Sequence, residues 1–341
     1  MGKNHLLEGP VFKSIIMIAI PIIFANLFQT VYQLIDTFWV GRLGAESVAA
    51  VSLSTPLVFF LTSLAMGIAM AGTILISQYN GKKDKKNVSL SAGQTFSLVV
   101  SISIILAIIG YFGTEFLLSF MTKDPIVLQQ AISYLKISFL AIPAMFIYNI
   151  FQSSLRGIGE VKFPMYVIIT TVIINFFLDP LFMFGWKFIP AMGVAGVAWA
   201  TFITEYISAI VGIIVLATGI FNIKIKLSDL KLRLLWVKKL FKLGIPSSLE
   251  MSSRSFSMVL MIFIISTFGT IAVASFGIGI KILMFVIIPA IAFSISSTAL
   301  IGNNLGAKQH SRSEEIAKTG MKIGFWSLTI IGLILFIFAT S

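Results

Sequence analysis

The sequence predicts an all-α polytopic membrane protein built as two six-helix lobes related by a pseudo-two-fold axis, with about nine helices in this chain and the second lobe incomplete. Three observations lead there. Hydrophobic residues make up 57% of the 341 positions and charged residues only 11%, against about 25% charged in an ordinary soluble domain. Too little polar surface exists to cover a water-soluble fold. Apolar stretches of about 18 residues or more recur along the whole chain, each long enough to cross a bilayer. The sequence also repeats itself weakly at an offset of 225 residues.

The elements follow in order. Helices are expected at about 12–40, 46–79, 88–113, 126–152, 163–186, 193–219, 236–267, 270–303 and 312–339. The first apolar run, Val11 to Val40, is too long for a signal peptide and no small-residue cleavage site follows it, so it reads as a retained helix. Breakers mark the joints: "GRLG" at 41–44, "NGKKDKKN" at 80–87, "TKDP" at 122–125, "RGIGE" at 156–160, "IPAMG" at 189–193, "FGT" at 268–270 and "LGAKQHSR" at 305–312. Pro21, Pro56, Pro143, Pro180, Pro246 and Pro289 lie inside runs and are candidate bends. Several runs exceed the ~20 residues that hydrocarbon requires, so those helices tilt or project into water.

Charge sets the orientation. With the N-terminus in the cytoplasm, 19 Lys and Arg fall in cytoplasmic segments, from Lys3 to Lys322, and three (Arg42, Lys123, Lys187) on the other side. This asymmetry accounts for the net charge of +12 without nucleic acid, and anionic lipid headgroups are the expected contact of the basic loops. There are no cysteines and only two histidines, His5 and His310. Disulfides, thiolate metal sites and Cys nucleophiles are excluded, and a His-based metal site or Ser-His-Asp triad is not expected.

The repeat overlays "IPIIFANLF" from Ile20 on "IPSSLEMSS" from Ile245, "LGAESVAAVSL" (43–53) on "FGTIAVASFGI" (268–278), and "TILISQYNG" (73–81) on "TALIGNNLG" (298–306), without a gap from Pro21 to Gly81. Six helices separate the copies, so both insert the same way up, as in a two-lobed transporter. The domains are therefore read as 1–225, an N-terminal six-helix lobe with its linker, and 226–341, the first three helices of a second lobe. On this reading the chain looks like a truncated twelve-helix protein.

Ionisable residues within the spans are Asp36, Lys136, Asp179, Glu205, Glu250, Arg254 and Lys281. Such residues are costly in lipid and mark functional sites by default. Asp36 lies five residues from Gly41 and Asp179 seven from Trp186, which puts both roughly 8–10 Å below the outer boundary. Asn175 is one turn from Asp179, and Thr201 on the next helix falls in the same band. Two readings of this set stand side by side. In one, the carboxyls share a proton or hold a hard cation, H⁺ or Na⁺, for which an oxygen-rich set is suited. In the other, both acids are wet and bond backbone freed near Pro180. Glu205, one turn beyond Thr201, is either a neighbour of the set or part of a polar seam. Glu250 and Arg254, spaced i, i+4, are expected to pair. Lys281 is a candidate partner for Glu250, so Glu250, Arg254 and Lys281 form a possible second-lobe polar site. Lys136 is read as snorkelling.

These residues resemble a known family, the multidrug and toxic compound extrusion (MATE) transporters. The resemblance rests on "IPIIFANLFQTVYQLIDTFWVGRLG" (20–44), "AMGIAMAGTILISQYNGKKD" (65–84), "SLRGIGEVKFPM" (154–165), "IINFFLDPLFMFG" (173–185) and "MGVAGVAWATFITEY" (192–206), in family order and spacing, with "GIPSSLE" and "LGAKQ" in the second lobe. The "LIDTFWVG" and "FLDPLFMFG" pieces look more like the branch with DNA-damage-inducible prokaryotic members than like the NorM-like branch. The resemblance implies twelve helices in two lobes and drug efflux driven by inward H⁺ or Na⁺ flow. By position it assigns Asp36, Asn175, Asp179 and Thr201 to a first-lobe cation site, with Tyr32 and Pro180 beside it. Asp36 aligns with Met261 in the repeat, so this site belongs to one lobe.

The expected function is cation-coupled antiport of small organic, often cationic compounds, without catalysis, by a monomer in a prokaryotic plasma membrane. No cofactor is expected beyond the coupling ion. A lipid-linked saccharide flippase is the first competitor, but the spans hold only Lys136, Arg254 and Lys281 to meet a pyrophosphate. A membrane-embedded enzyme would need a reactive cluster that the spans lack, and a non-transporting truncated protein is the third alternative.

Overall fold

The computed structural model describes residues 4–266, 268 and 270–338, with some side chains, including those of Arg254 and Lys281, outside the described set. Nine long helices appear among them: α1 Val11–Gly41, α2 Ala45–Gly81, α3 Lys85–Ser119, α4 Pro125–Gly157, α5 Lys162–Phe184, α6 Val194–Thr218, α7 Leu234–Ser266, α8 Thr270–Gly306 and α9 His310–Phe338. Two single helical turns, Asn4–Leu7 and Leu227–Leu230, accompany them. No strand occurs among the described residues; an isolated bridge joins Trp186 and Ile189.

The nine expected helices all form, mostly longer than read. Their ends explain the difference. Asp84 caps α3 by accepting from the Asn87 N–H at 3.1 Å, so the helix starts inside "NGKKDKKN". Asp124 caps α4 through the N–H groups of Ile126 and Val127, with Pro125 filling the first turn, where its missing N–H costs nothing. At its C-terminal end α4 runs on to Gly157, and Gly159 takes φ +81° in the turn that follows. α5 stops earlier than expected, at Phe184, because Gly185 (φ +75°) begins a tight turn closed by Trp186 and Ile189. All six prolines remain inside their helices.

α2, with 37 residues, is about 55 Å long, well beyond a ~30 Å hydrocarbon core. Eight helices among the described residues are long and apolar enough to cross a membrane: α1 to α6, the Phe285–Gly306 part of α8, and α9. The ninth expected span, α7, forms as a helix but is not among those eight. Five charged residues, Lys238, Lys239, Lys242, Glu250 and Arg254, lie along it. The chain is a multi-pass membrane protein, and its many exposed Phe, Ile and Leu side chains, such as Phe112 and Phe116 on α3, are the lipid-facing surface such a fold requires.

Within the first six helices, α4 packs against α2, α3 and α6, and α5 sits between α1 and α6. One apolar cluster joins α2, α3, α4 and the start of α7 around Phe139, Phe146 and Leu240. A second joins α1, α4, α5 and α6 around Phe151, Leu155 and Val172. A third crosses between the halves, with Ile15, Ala19 and Ile22 of α1 on Ala292, Phe293 and Leu300 of α8 and Ile316 of α9.

α2 and α8 cross at their C-terminal ends with almost no separation. A Cβ on Gly81 would run into the Asn303 backbone, and one on Gly306 into the Gln78 backbone. Gly81 and Gly306 are separated by the 225-residue offset of the repeat, and so are Gln78 and Asn303. Ser77 and Gly302, another pair at that offset, touch each other. The local two-fold therefore passes between Ser77 and Gly302.

The segment between the halves is bound rather than loose. Gln94 on α3, fully buried, donates to the carbonyls of Asp229 (2.7 Å) and Lys231 (2.8 Å) and accepts from the Arg233 N–H (2.8 Å). Ser97 donates to the Leu230 carbonyl at 2.7 Å.

Candidate functional site

The first-lobe polar set forms where α1, α5 and α6 converge. The helical period turns Tyr32 and Asp36 onto one face of α1 and Asn175 and Asp179 onto one face of α5, because residues four apart lie one above the other. Asp179 and Asn175 are fully buried, and the Asn175 amide donates to Asp179 Oδ1 at 3.2 Å. The carboxyl of Asp36 lies against that of Asp179. The Tyr32 hydroxyl bonds Thr204 Oγ of α6 at 3.1 Å, with Thr201 beside it. Glu205 comes within electrostatic range of both Asp36 and Tyr32.

The oxygens of this set are short of donors. Asp36 Oδ1, Asp179 Oδ2, Asn175 Oδ1 and Thr201 Oγ are all buried without a hydrogen-bond partner. Buried polar atoms are satisfied in more than nine cases out of ten, roughly, and here four orphans share one place. Two adjacent buried carboxyls cannot both hold a charge unless a proton or cation lies between them. Among the described residues no group of three His, Cys, Asp or Glu gathers. Two carboxyls, an amide oxygen and a hydroxyl suit a proton or a small hard monovalent ion better than a soft metal.

Apolar side chains cover the end of the set nearest Gly41. Val40, Met183 and Val197 pack together, with Trp39 at their edge. Trp39 meets Phe176 and Phe184 with ring centroids 6.1 Å apart, and the Arg42 guanidinium stands over Phe38 and Trp39 at 4.6 and 5.0 Å.

The fold thus brings together Asp36, Asn175, Asp179, Thr201, Tyr32 and Glu205. Pro180 sits next to Asp179 inside α5, which continues as helix to Phe184. Lys136 does not simply snorkel: its ammonium pairs with Glu115 of α3 at 2.5 Å and stands over the Tyr111 ring. Glu250 is exposed on α7, far along the chain from this set; its expected partners Arg254 and Lys281 have side chains outside the described residues. The sequence reading missed Thr204 and Tyr134, the latter in electrostatic range of Asp36 from α4. Thr204 had a signal, since it falls one turn from Thr201 on the same helix. Tyr134 had none, because α4 reaches Asp36 only through tertiary packing.

A family model described as MatE matches residues 21–181 and 246–341. The probable multidrug resistance protein YoeA of Bacillus subtilis (strain 168) is 30% identical over 331 residues, covering 96% of this chain and 71% of that protein. Among solved structures, MATE in the bent conformation superposes with a TM-score of 0.91 at 26% identity, covering 99% of this chain and 75% of that one. An outward-facing multidrug resistance MATE family transporter of the MOP superfamily gives 0.86 at 25%, covering 100% and 76%. With the family match spanning more than half of its length, and the same helices holding the same order, the chain belongs to the MATE family of membrane transporters.

Proposed function

We propose that this chain exports organic, often cationic compounds across a prokaryotic plasma membrane, N-terminus in the cytoplasm, and that inward H⁺ or Na⁺ flow drives the export. The names of its relatives, multidrug resistance proteins, support multidrug substrates. The observation that carries the coupling is the group of orphan oxygens at Asp36, Asn175, Asp179 and Thr201. A cation or proton there supplies the missing positive charge. When it leaves, two adjacent carboxylates repel, and α1 and α5 are pushed apart. Binding therefore favours one packing of α1, α5 and α6 and release another. An ion shifts a conformational equilibrium by as much as its affinity differs between the two states, and this site offers such a difference.

Asp36→Asn removes the charge that responds to the ion and keeps the shape. In proteoliposomes given a pH gradient or a Na⁺ gradient separately, Asp36→Asn is expected to reduce ethidium efflux more than about tenfold while membrane insertion is unchanged. Asp179→Asn should do the same. Full efflux by Asp36→Asn would remove this residue from the mechanism. Of the three cations the flippase reading would use, Lys136 is taken up by Glu115, and the side chains of Arg254 and Lys281 lie outside the described residues.

A further inference from the structure

The chain segment ahead of α1 spans the two halves. The Asn304 side-chain amide of α8 donates to the Leu6 carbonyl at 2.9 Å, and the Arg312 guanidinium of α9 donates to the Gly9 carbonyl at 2.8 Å. On the other half, Leu6 lies on Gly159, so closely that a Cβ there would sit 2.6 Å from its Cδ2. Leu6 also packs at the edge of the apolar cluster that joins Val161 after α4 to Leu300 of α8 and Ile316 of α9. One short segment is thus tied to both halves.

Beneath it lies the seam. The Asn80 amide of α2 donates to Asn303 Oδ1 of α8 at 2.7 Å, and the Asn303 amide donates to the Gly157 carbonyl of α4 at 2.9 Å. A cavity of about 670 Å³ adjoins both, with Leu6, Leu7 and Glu8 of the segment and Asn80 and Asn303 of the seam among its lining residues. The segment thus lies across the seam and touches residues next to it, Asn304 and Gly159. Its ties are two side-chain bonds to carbonyls and one leucine, contacts small enough to break and re-form during a cycle.

We propose that residues 4–9 are a strap that holds the lysine-rich side of the seam shut, and that its release from Asn304, Arg312 and Gly159 is a step in opening that side. This rests on the transport reading above. Pro10 joins the strap directly to α1, which runs as one helix from Val11 to Gly41 and carries Asp36 near its far end. A displacement of α1 by the cation site thereby reaches the strap along one continuous helix, past Pro21.

The absence of cysteine makes the test direct. Ser77 is fully buried in the seam against Gly302. In a Ser77→Cys background, an impermeant maleimide is applied to right-side-out and to everted vesicles, so that the strap side is read by experiment. Asn304→Ala and Arg312→Ala should each raise the labelling rate from one side by about fivefold, the scale of one lost hydrogen bond, and Leu6→Ala, which keeps the carbonyl but removes the apolar contact with Gly159, should raise it from the same side. Lys318→Ala, which breaks only the exposed pair with Glu314 on α9, should leave it unchanged. Leu6→Ala lies outside the long helices, so it stays informative if an α8 or α9 variant fails to insert. Strap variants that label no faster than the parent overturn the proposal. Adding drug separates the two ideas. Strap variants that label faster while drug never changes the parent's rate leave the strap standing and count against the transport reading.

Discussion

Asp84 and Asp36 are the same side chain in opposite circumstances. Asp84, in the loop between α2 and α3, accepts from the Asn87 N–H and from its side-chain amide at 2.6 Å, and these bonds hold its carboxyl below the usual range. A depressed folded value means the cap contributes fully above the unfolded value of ~3.9 and is lost as pH falls through the folded one. Asp84→Ala is therefore expected to cost about 1 kcal/mol at neutral pH. The cost should shrink as pH falls below the ordinary carboxylate range, as followed by thermal unfolding in detergent at neutral and acid pH. Asp36 has no donor on its buried oxygen and a second carboxyl beside it. In the proposed cycle its role depends on a charge that comes from outside the chain. The identity and helical phase of both residues were legible in the sequence. That Asp179 stands against Asp36 followed only from how α1 and α5 pack.

Among the elements, α3 and the segment after α6 show a function that local pattern hides. Residues 219–233 read as a charged linker, yet Gln94 meets three of its backbone groups and Ser97 a fourth. A glutamine in an apolar helix has no partner that spacing can reveal, because the groups it bonds lie about 135 residues away. Gln94→Ala leaves those backbone groups without their partner and should cost about 1–3 kcal/mol. The checks are a lower thermal midpoint and faster proteolysis within residues 219–233, with α3 itself intact. Likewise the pairing of Lys136 with Glu115 joins α3 to α4 at a distance of 21 residues, beyond the reach of any helical period.

At the scale of the whole molecule, the crossing of α2 and α8 decides how the halves meet. Backbone stands against backbone at Gly81 and Gly306, and backbone cannot move aside as a flexible side chain can. Gly306→Val should force the helices apart at an overpacking cost of about 1–3 kcal/mol. Gly332→Val, on a position with open space around it, should be tolerated. Equal thermal midpoints for the two variants would refute the close crossing.

The sequence by itself determined the class of fold, the number and order of the long helices, and the residues that share a band of depth. Those properties depend on hydrophobic period, on breakers and on counting 1.5 Å per residue, all of which are local. It also carried the offset of 225 that the crossing of α2 and α8 later obeys. Only the tertiary structure decided which faces meet: the two carboxyls side by side, Tyr32 on Thr204, Gln94 on the linker, and Leu6 under Asn304. Helix rotation and partner choice arise from packing between segments far apart in the chain, and that packing leaves no periodic trace in any one of them.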